Sequence, residues 1–266
     1  MNFQNAILVV AHPDDEILWF SSILSHCKGV LVCFGASFTS QQRWDSGRSA
    51  LMEEYPLTKV RFLKLRESDA FATADWGNPK QVDSGLELPR GRSSVYEKNA
   101  TRLLRVLEGE LTHESLVVTH NPWGEYGHEE HVQVFRTLAR LKQKIGFDLY
   151  VNSYVSNKSI QLMSKCAHSL DGNPSMRQTD KALAHRLRAL YLENDCWTWI
   201  VDYDWPTYES FYRVIEPVDE TVPGTRASVP LNYIPGNFNQ SPLRKLASKA
   251  LPTTVKSLIK HVSPGE

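Results

Sequence analysis

Residues 6–16 read Ala6-Ile7-Leu8-Val9-Val10-Ala11-His12-Pro13-Asp14-Asp15-Glu16. The apolar run before His12 shows no alternation, which is the pattern of a strand buried on both faces in a parallel sheet under helices. Pro13 has no N–H to give to a ladder and fixes its own φ, so the strand ends there and the acidic pair leaves on a stiff turn. In open α/β sheets the loops leaving the C-terminal strand ends bind ligands, because helices cover the rest of the layer. One imidazole and two carboxylates are therefore predicted at that edge. Asp14 or Asp15 would serve equally well to cap the next helix, so a second cluster has to decide between capping and chemistry.

Outward from this stretch, strands and helices alternate. Helical spacing runs over 16–26, 93–111 and 128–145, residues 43–55 can be helical until Pro56 stops them, a further helix is read over 182–192, and strands are predicted over 30–34, 59–65 (alternating), 116–119 and 148–155. The alternation predicts an α/β fold, a Rossmann-like three-layer sandwich with a mostly parallel sheet. Residues 67–92 dissolve into Gly, Pro, Asp and Ser around Phe71 and Trp76. A loop of that length is often a lid or substrate loop. Residues 1–240 are read as one domain. Residues 241–266 form a C-terminal extension, a basic amphipathic tail carrying Arg244, Lys245, Lys249, Lys256 and Lys260. Such a tail suits peripheral contact with an anionic membrane surface, although packing on its own domain is the commoner use.

Composition narrows the function classes. The chain of 266 residues carries 30 Lys plus Arg against 30 Asp plus Glu, so no global basic field attracts nucleic acid. With 41% hydrophobic and 23% charged residues it is ordinary for a globular protein. Cys27, Cys33, Cys166 and Cys196 show neither C-x-x-C nor zinc-ribbon spacing and read as small buried hydrophobes. No positive n-region precedes the short apolar run, so a cytoplasmic location is the default expectation.

The second cluster is Thr119-His120-Asn121-Pro122-Trp123-Gly124-Glu125-Tyr126-Gly127-His128-Glu129-Glu130-His131. His128 and His131 are three apart at a predicted helix start and so share a face of its first turn. If the preceding strand runs parallel to the first, they arrive at the same edge as His12 and Asp15. Two imidazoles and one carboxylate make a three-ligand set with an open position, as in a catalytic zinc site. One carboxylate and one histidine then remain to move protons as zinc-activated water attacks a carbonyl.

These residues resemble the LmbE-like or PIG-L superfamily of zinc-dependent N-deacetylases, which act mainly on N-acetylglucosamine-type sugars. The resemblance rests on Ala11-His12-Pro13-Asp14-Asp15-Glu16 and Gly127-His128-Glu129-Glu130-His131, and covers roughly the first 155 residues. It implies His12, Asp15 and His131 as Zn2+ ligands, Asp14 as general base, and His128 as the histidine that assists the oxyanion and leaving group. The substrate expected from it is a carbohydrate or glycoconjugate. Two departures stand out. Phe20-Ser21-Ser22 occupies the place of the family's glycine pair, and Arg48, the nearest counterpart of a sugar-holding arginine, lacks a glutamate at the usual offset. Arg43 and Asp45 have an equal claim as substrate residues. Trp44, Trp76, Trp123 and Tyr126 are candidates to stack on a sugar ring, whereas Trp197 and Trp199 are read as core. The alternatives are a sugar O-acetyl esterase or other amidase on the same fold, and a catalytically silent sugar-binding relative.

Overall fold

The computed structural model describes residues 2–36, 42–215 and 231–234, with side chains from 45 onward in the second segment. The predicted tail 241–266 and the side chains of Arg43 and Trp44 lie outside the described residues. The first strand, β1 (Ala6–Val10), sits at the centre of a seven-stranded sheet. Parallel to it on one side runs β2 (Gly29–Ala36), followed by β3 (Val60–Arg66). On the other side run β6 (Leu116–Thr119) and β7 (Asp148–Asn152), also parallel. Two antiparallel strands, β10 (Tyr208–Arg213) and β9 (Ser175–Gln178), complete that edge. Short pairs lie outside the sheet: β4 (Gln81–Val82) with β5 (Gly85–Leu86), and β8 (Tyr154–Ser156) with β11 (Asn232–Ile234).

Unalternating runs give this sheet a core on each face. Val9, Leu31, Cys33 and Val117 point into one, under α4 (Ser93–Glu108) and α5 (Glu129–Ile145). Leu8, Val10, Val30, Val32 and Val118 point into the other, under α1 (Asp15–Leu18), α2 (Ser21–Leu24), α3 (Gln42–Glu54) and α7 (Lys181–Glu193). Each such side chain, taken fully out of water, contributes about 1.5–3 kcal/mol before entropy. All four cysteines are buried and free, as their spacing implied. A last helix, α6 (Ile160–Cys166), follows β8. No helix among the described residues is long and apolar enough to cross a membrane.

Three boundaries differ from expectation. The helix predicted over 16–26 is two short helices, broken at Trp19-Phe20, where Phe20 turns to φ −141°. The break lets Ser21 and Ser22 turn to β10: both hydroxyls and the Ser22 N–H bind the buried Glu209 carboxylate. These serines thus tie the start of the chain to β10. The strand predicted over 148–155 divides at Ser153, where the chain leaves the sheet to pair with β11. The loop at 67–92 includes the small β4–β5 hairpin.

Sheet order reverses at β1. The chain moves outward through β2 and β3 and returns to place β6 on the opposite flank, which makes the β1/β6 edge the topological switch point. His12 follows β1 and His120 follows β6, so both motifs open at that crevice.

Candidate active site

The turn after β1 is held by its own side chains. Asp14 has a left-handed backbone, φ 89°, a conformation costing a non-glycine residue about 1–3 kcal/mol. Its N–H donates to Glu16 Oε2 (3.0 Å) and to the Tyr191 hydroxyl (2.8 Å), and Glu16 Oε1 accepts the hydroxyls of Tyr55 and Tyr191 at 2.6 Å each. Asp15 is fixed at both oxygens: Oδ1 accepts the Trp19 indole N–H (3.0 Å) and Oδ2 the His12 backbone N–H (2.7 Å).

The second motif arrives on a loop shaped by Gly124, at φ 66°, where an added Cβ would lie 2.6 Å from the His128 carbonyl oxygen. Asn121 Oδ1 accepts the N–H groups of Trp123 and Glu125, which aims the Glu125 carboxylate inward. Glu125 Oε1 accepts from Asn152 (2.5 Å) and from the Asn121 N–H (3.2 Å), leaving Oε2 to meet His131 Nδ1 at 2.6 Å. His128 caps α5, its Nδ1 accepting the Glu130 N–H at 3.2 Å. His131 follows within the first turn, its ring stacked 4.6 Å from His128 at 14°.

Three donor atoms converge where these turns meet. His12 Nδ1 lies 3.4 Å from Asp15 Oδ2 and 3.3 Å from His131 Nε2, and Asp15 Oδ2 lies 3.3 Å from His131 Nε2. Tetrahedral ligands held about 2.0–2.1 Å from zinc lie roughly 3.3–3.4 Å apart, so this triangle fits such an ion. Each imidazole has its far nitrogen on a carboxylate, His12 Nε2 on Glu130 (2.8 Å) and His131 Nδ1 on Glu125 (2.6 Å). A proton on the far nitrogen leaves the near lone pair free for a metal, as carboxylate–histidine pairs do at zinc. Other groupings also come close, among them Asp15 with His120 and His131, and His12 with Glu67 and Glu130. His120 is a weaker donor because its Nε2 already accepts the Ala11 N–H at 2.8 Å. Its Nδ1 sits 3.1 Å from a Glu125 oxygen without hydrogen-bond alignment. Glu67 and Glu130 are engaged by Arg48 and Ser68.

Asp14 and His128 flank this triangle in different electrostatic states. Burial and the adjacent Asp15 carboxylate push Asp14 up to about 8, against the opposing pull of Thr198 and Arg48. Asp14 and Asp15 both act on the Tyr126 phenol, whose pKa burial and these carboxylates raise. Burial and the nearby His131 and His12 rings hold His128 well below the usual imidazole range. A neutral His128 whose Nδ1 accepts carries its proton on Nε2, free to donate.

The expected substrate residues divide. Tyr126 is half-buried, edge-on to His131 at 5.4 Å and 4.7 Å from the Trp199 ring. Arg48 is buried, bonded through Nη1 to Glu67 at the end of β3 and facing Asp14 electrostatically. Its carboxylate partner thus comes from the end of β3 rather than from its own helix. Asp45 is half-buried in the first turn of α3. Trp123 needs correcting: it is wholly buried, its indole N–H on the Tyr154 carbonyl at 2.6 Å, so it cannot stack on a ligand. Trp76 is also buried, bonded to Glu129. A cleft of about 700 Å³ between the β4–β5 hairpin and α4, lined by Leu86, Tyr96 and Leu104, contains none of the four histidines.

No family model matches the chain. Over 178 residues it is 23% identical to the uncharacterized protein L374 of Acanthamoeba polyphaga mimivirus, covering 61% of this chain and 68% of that one. Among solved structures it is similar to deacetylases. A deacetylase in complex with teicoplanin, from the teicoplanin biosynthesis pathway, aligns over 79% of this chain and 98% of its own, at 11% identity and a TM-score of 0.47. The zinc-inhibited form of teicoplanin deacetylase Orf2 aligns over the same shares at 11% identity and 0.49. The A40926 pseudoaglycone deacetylase Dbv21 aligns over 82% and 99% at 12% identity and 0.47.

Several site residues escaped sequence reasoning. Glu125 and Glu130, which orient the two imidazoles, look like ordinary acids at a helix start. Residues 68–76 fold onto α5 through its first two residues: Ser68 binds Glu130, while the N–H groups of Ala72, Thr73 and Ala74 bind Glu129. That brings Phe71 to 4.9 Å from His128. Thr198 and Trp199, read as part of a core segment, reach Asp14 and Tyr126. Their only sequence signal is a short polar residue between tryptophans.

Proposed function

We propose that this chain is a zinc-dependent hydrolase that removes an N-acetyl group from an amino sugar, of N-acetylglucosamine type, within a glycoside or glycoconjugate. The observation that carries the reading is the donor triangle of His12 Nδ1, Asp15 Oδ2 and His131 Nε2, with edges of 3.3–3.4 Å beside a second carboxylate and a second histidine. The resemblance of both motifs to the LmbE-like superfamily supports the sugar amide as substrate. Held by His12, Asp15 and His131, zinc would supply a Lewis acid for the acetyl carbonyl and would lower the pKa of water toward 7. In its ionised form Asp14 takes the proton of the attacking water on its carboxylate. His128, through Nε2–H, donates a hydrogen bond to the oxygen on which charge develops, and the proton that Asp14 took from water goes to the departing amine beside it. Tyr126 and Phe71, half-buried beside His128, offer ring faces to the sugar.

Two substitutions separate the roles. Asp14→Asn is expected to lower kcat by about 100-fold or more, the scale of a lost general base, while keeping the metal. His131→Ala is expected to lose zinc itself, read by metal analysis of the purified protein. Turnover surviving in the first, or full zinc content in the second, would remove the corresponding assignment.

A further inference from the structure

Asp14 is gripped from a segment that belongs to neither motif. Thr198 stands five residues beyond the end of α7, and its hydroxyl donates to Asp14 Oδ2 at 2.6 Å while its backbone N–H reaches the same oxygen at 3.2 Å. No described residue donates to Asp14 Oδ1. A carboxylate with both donors on one oxygen is fixed in rotation and keeps the lone pairs of the other for a proton. The segment is itself anchored: Asn194 and Cys196 return their N–H groups to Leu190 and Tyr191 of α7, the latter the residue whose hydroxyl receives the Asp14 N–H. Next in the chain, Trp199 packs edge-on against Trp19 at 5.1 Å and 83°, and Trp19 holds Asp15 Oδ1. One dipeptide therefore touches the base and the ring that orients its neighbour.

We propose that Thr198 is a positioning residue for Asp14, its hydroxyl clamping Oδ2 so that Oδ1 is presented to the attacking water. The inference rests on the reading of Asp14 as general base. Thr198 exchanges no proton: the water's O–H breaks and its proton goes to Asp14 Oδ1 while its oxygen bonds the acetyl carbon and the carbonyl pair moves to oxygen. That pair then returns as the C–N bond breaks, and the amine leaves with the proton Asp14 held. The requirement is for a hydroxyl, so serine satisfies it and the isosteric valine does not.

The experiment compares zinc-loaded full-length wild type, Thr198→Val, Thr198→Ser and Asp14→Asn. It follows acetate release from a nitrophenyl N-acetylglucosaminide, with zinc content, melting temperature and a crystal structure of each. Thr198→Val is expected to lose about 10- to 100-fold in kcat with KM little changed, a part of what general-base catalysis contributes. Thr198→Ser is expected to stay near wild type, and zinc content to be equal in all four. The crystal structure reads the clamp without substrate, and in Thr198→Val the Asp14 carboxylate is expected to leave its present rotamer. Wild-type kcat in Thr198→Val beside an inactive Asp14→Asn overturns the positioning role alone, as does an unmoved Asp14. An active Asp14→Asn overturns the base assignment and this inference with it. A Thr198→Ser as slow as Thr198→Val, or loss of zinc or of folding in Thr198→Val, makes Thr198 a structural residue and also overturns the proposal.

Discussion

Glu125 shows how much of the site is built by residues that bind nothing themselves. One of its oxygens is occupied by Asn152 and the Asn121 backbone, and the other meets His131 Nδ1 at 2.6 Å. Glu125→Gln would put an amide where a carboxylate now fixes the His131 tautomer. Zinc affinity is then expected to fall about 10- to 100-fold, as when outer carboxylates are removed from histidine ligands. Competition against a chromophoric chelator measures this, and an unchanged affinity would deny Glu125 that role. His12, Asp15 and His131 were legible in the sequence because each sits at a fixed offset from a strand end. Glu125 and Thr198 were not, since their value depends on partners brought close by folding; Thr198 is 184 positions from Asp14. Trp123 was misread because an indole in a motif loop looks the same in sequence whether it faces the cleft or, as here, the core.

Among elements, the contact that matters most for the site is the one between α3 and the chain just past α7. Gly47 of α3 faces the Asn194 carbonyl so closely that an added Cβ would lie 1.9 Å from its oxygen. Gly47→Ala must therefore push α3 away from the segment that carries Thr198. Such overpacking typically costs about 1–3 kcal/mol, and chemical denaturation reads it as a lower midpoint. Wild-type stability in Gly47→Ala would mean that the segment yields freely and is a poor platform for Thr198. Helical periodicity located α4, α5 and α7 to within a few residues, and the stop at Pro56 located α3. It missed the break between α1 and α2. There Ser21 and Ser22 turn toward Glu209 on a strand nearly two hundred residues away, and no local pattern announces that.

Across the whole molecule, β1, β2 and β6 were readable as unbroken apolar runs and β3 as an alternating one, and the strand order places both motifs at one crevice. The antiparallel edge of β10 and β9 was not: β9 is four residues long with alternate ones exposed, and the buried run of β10, residues 209–212, begins with two polar residues. A metal that binds only the folded chain stabilises all of it, so zinc should raise the melting temperature and a chelator lower it. The most direct measurement joins that linkage to the chemistry: acetate release from a panel of N-acetylated and O-acetylated sugars, comparing chelator-stripped protein with the same protein after zinc is restored. Release from an N-acetylhexosamine glycoside that disappears with the metal and returns with it is the expected result. Release only from O-acetylated sugars, or the same N-acetyl release with no metal bound, would contradict a zinc-dependent N-deacetylase built on His12, Asp15 and His131.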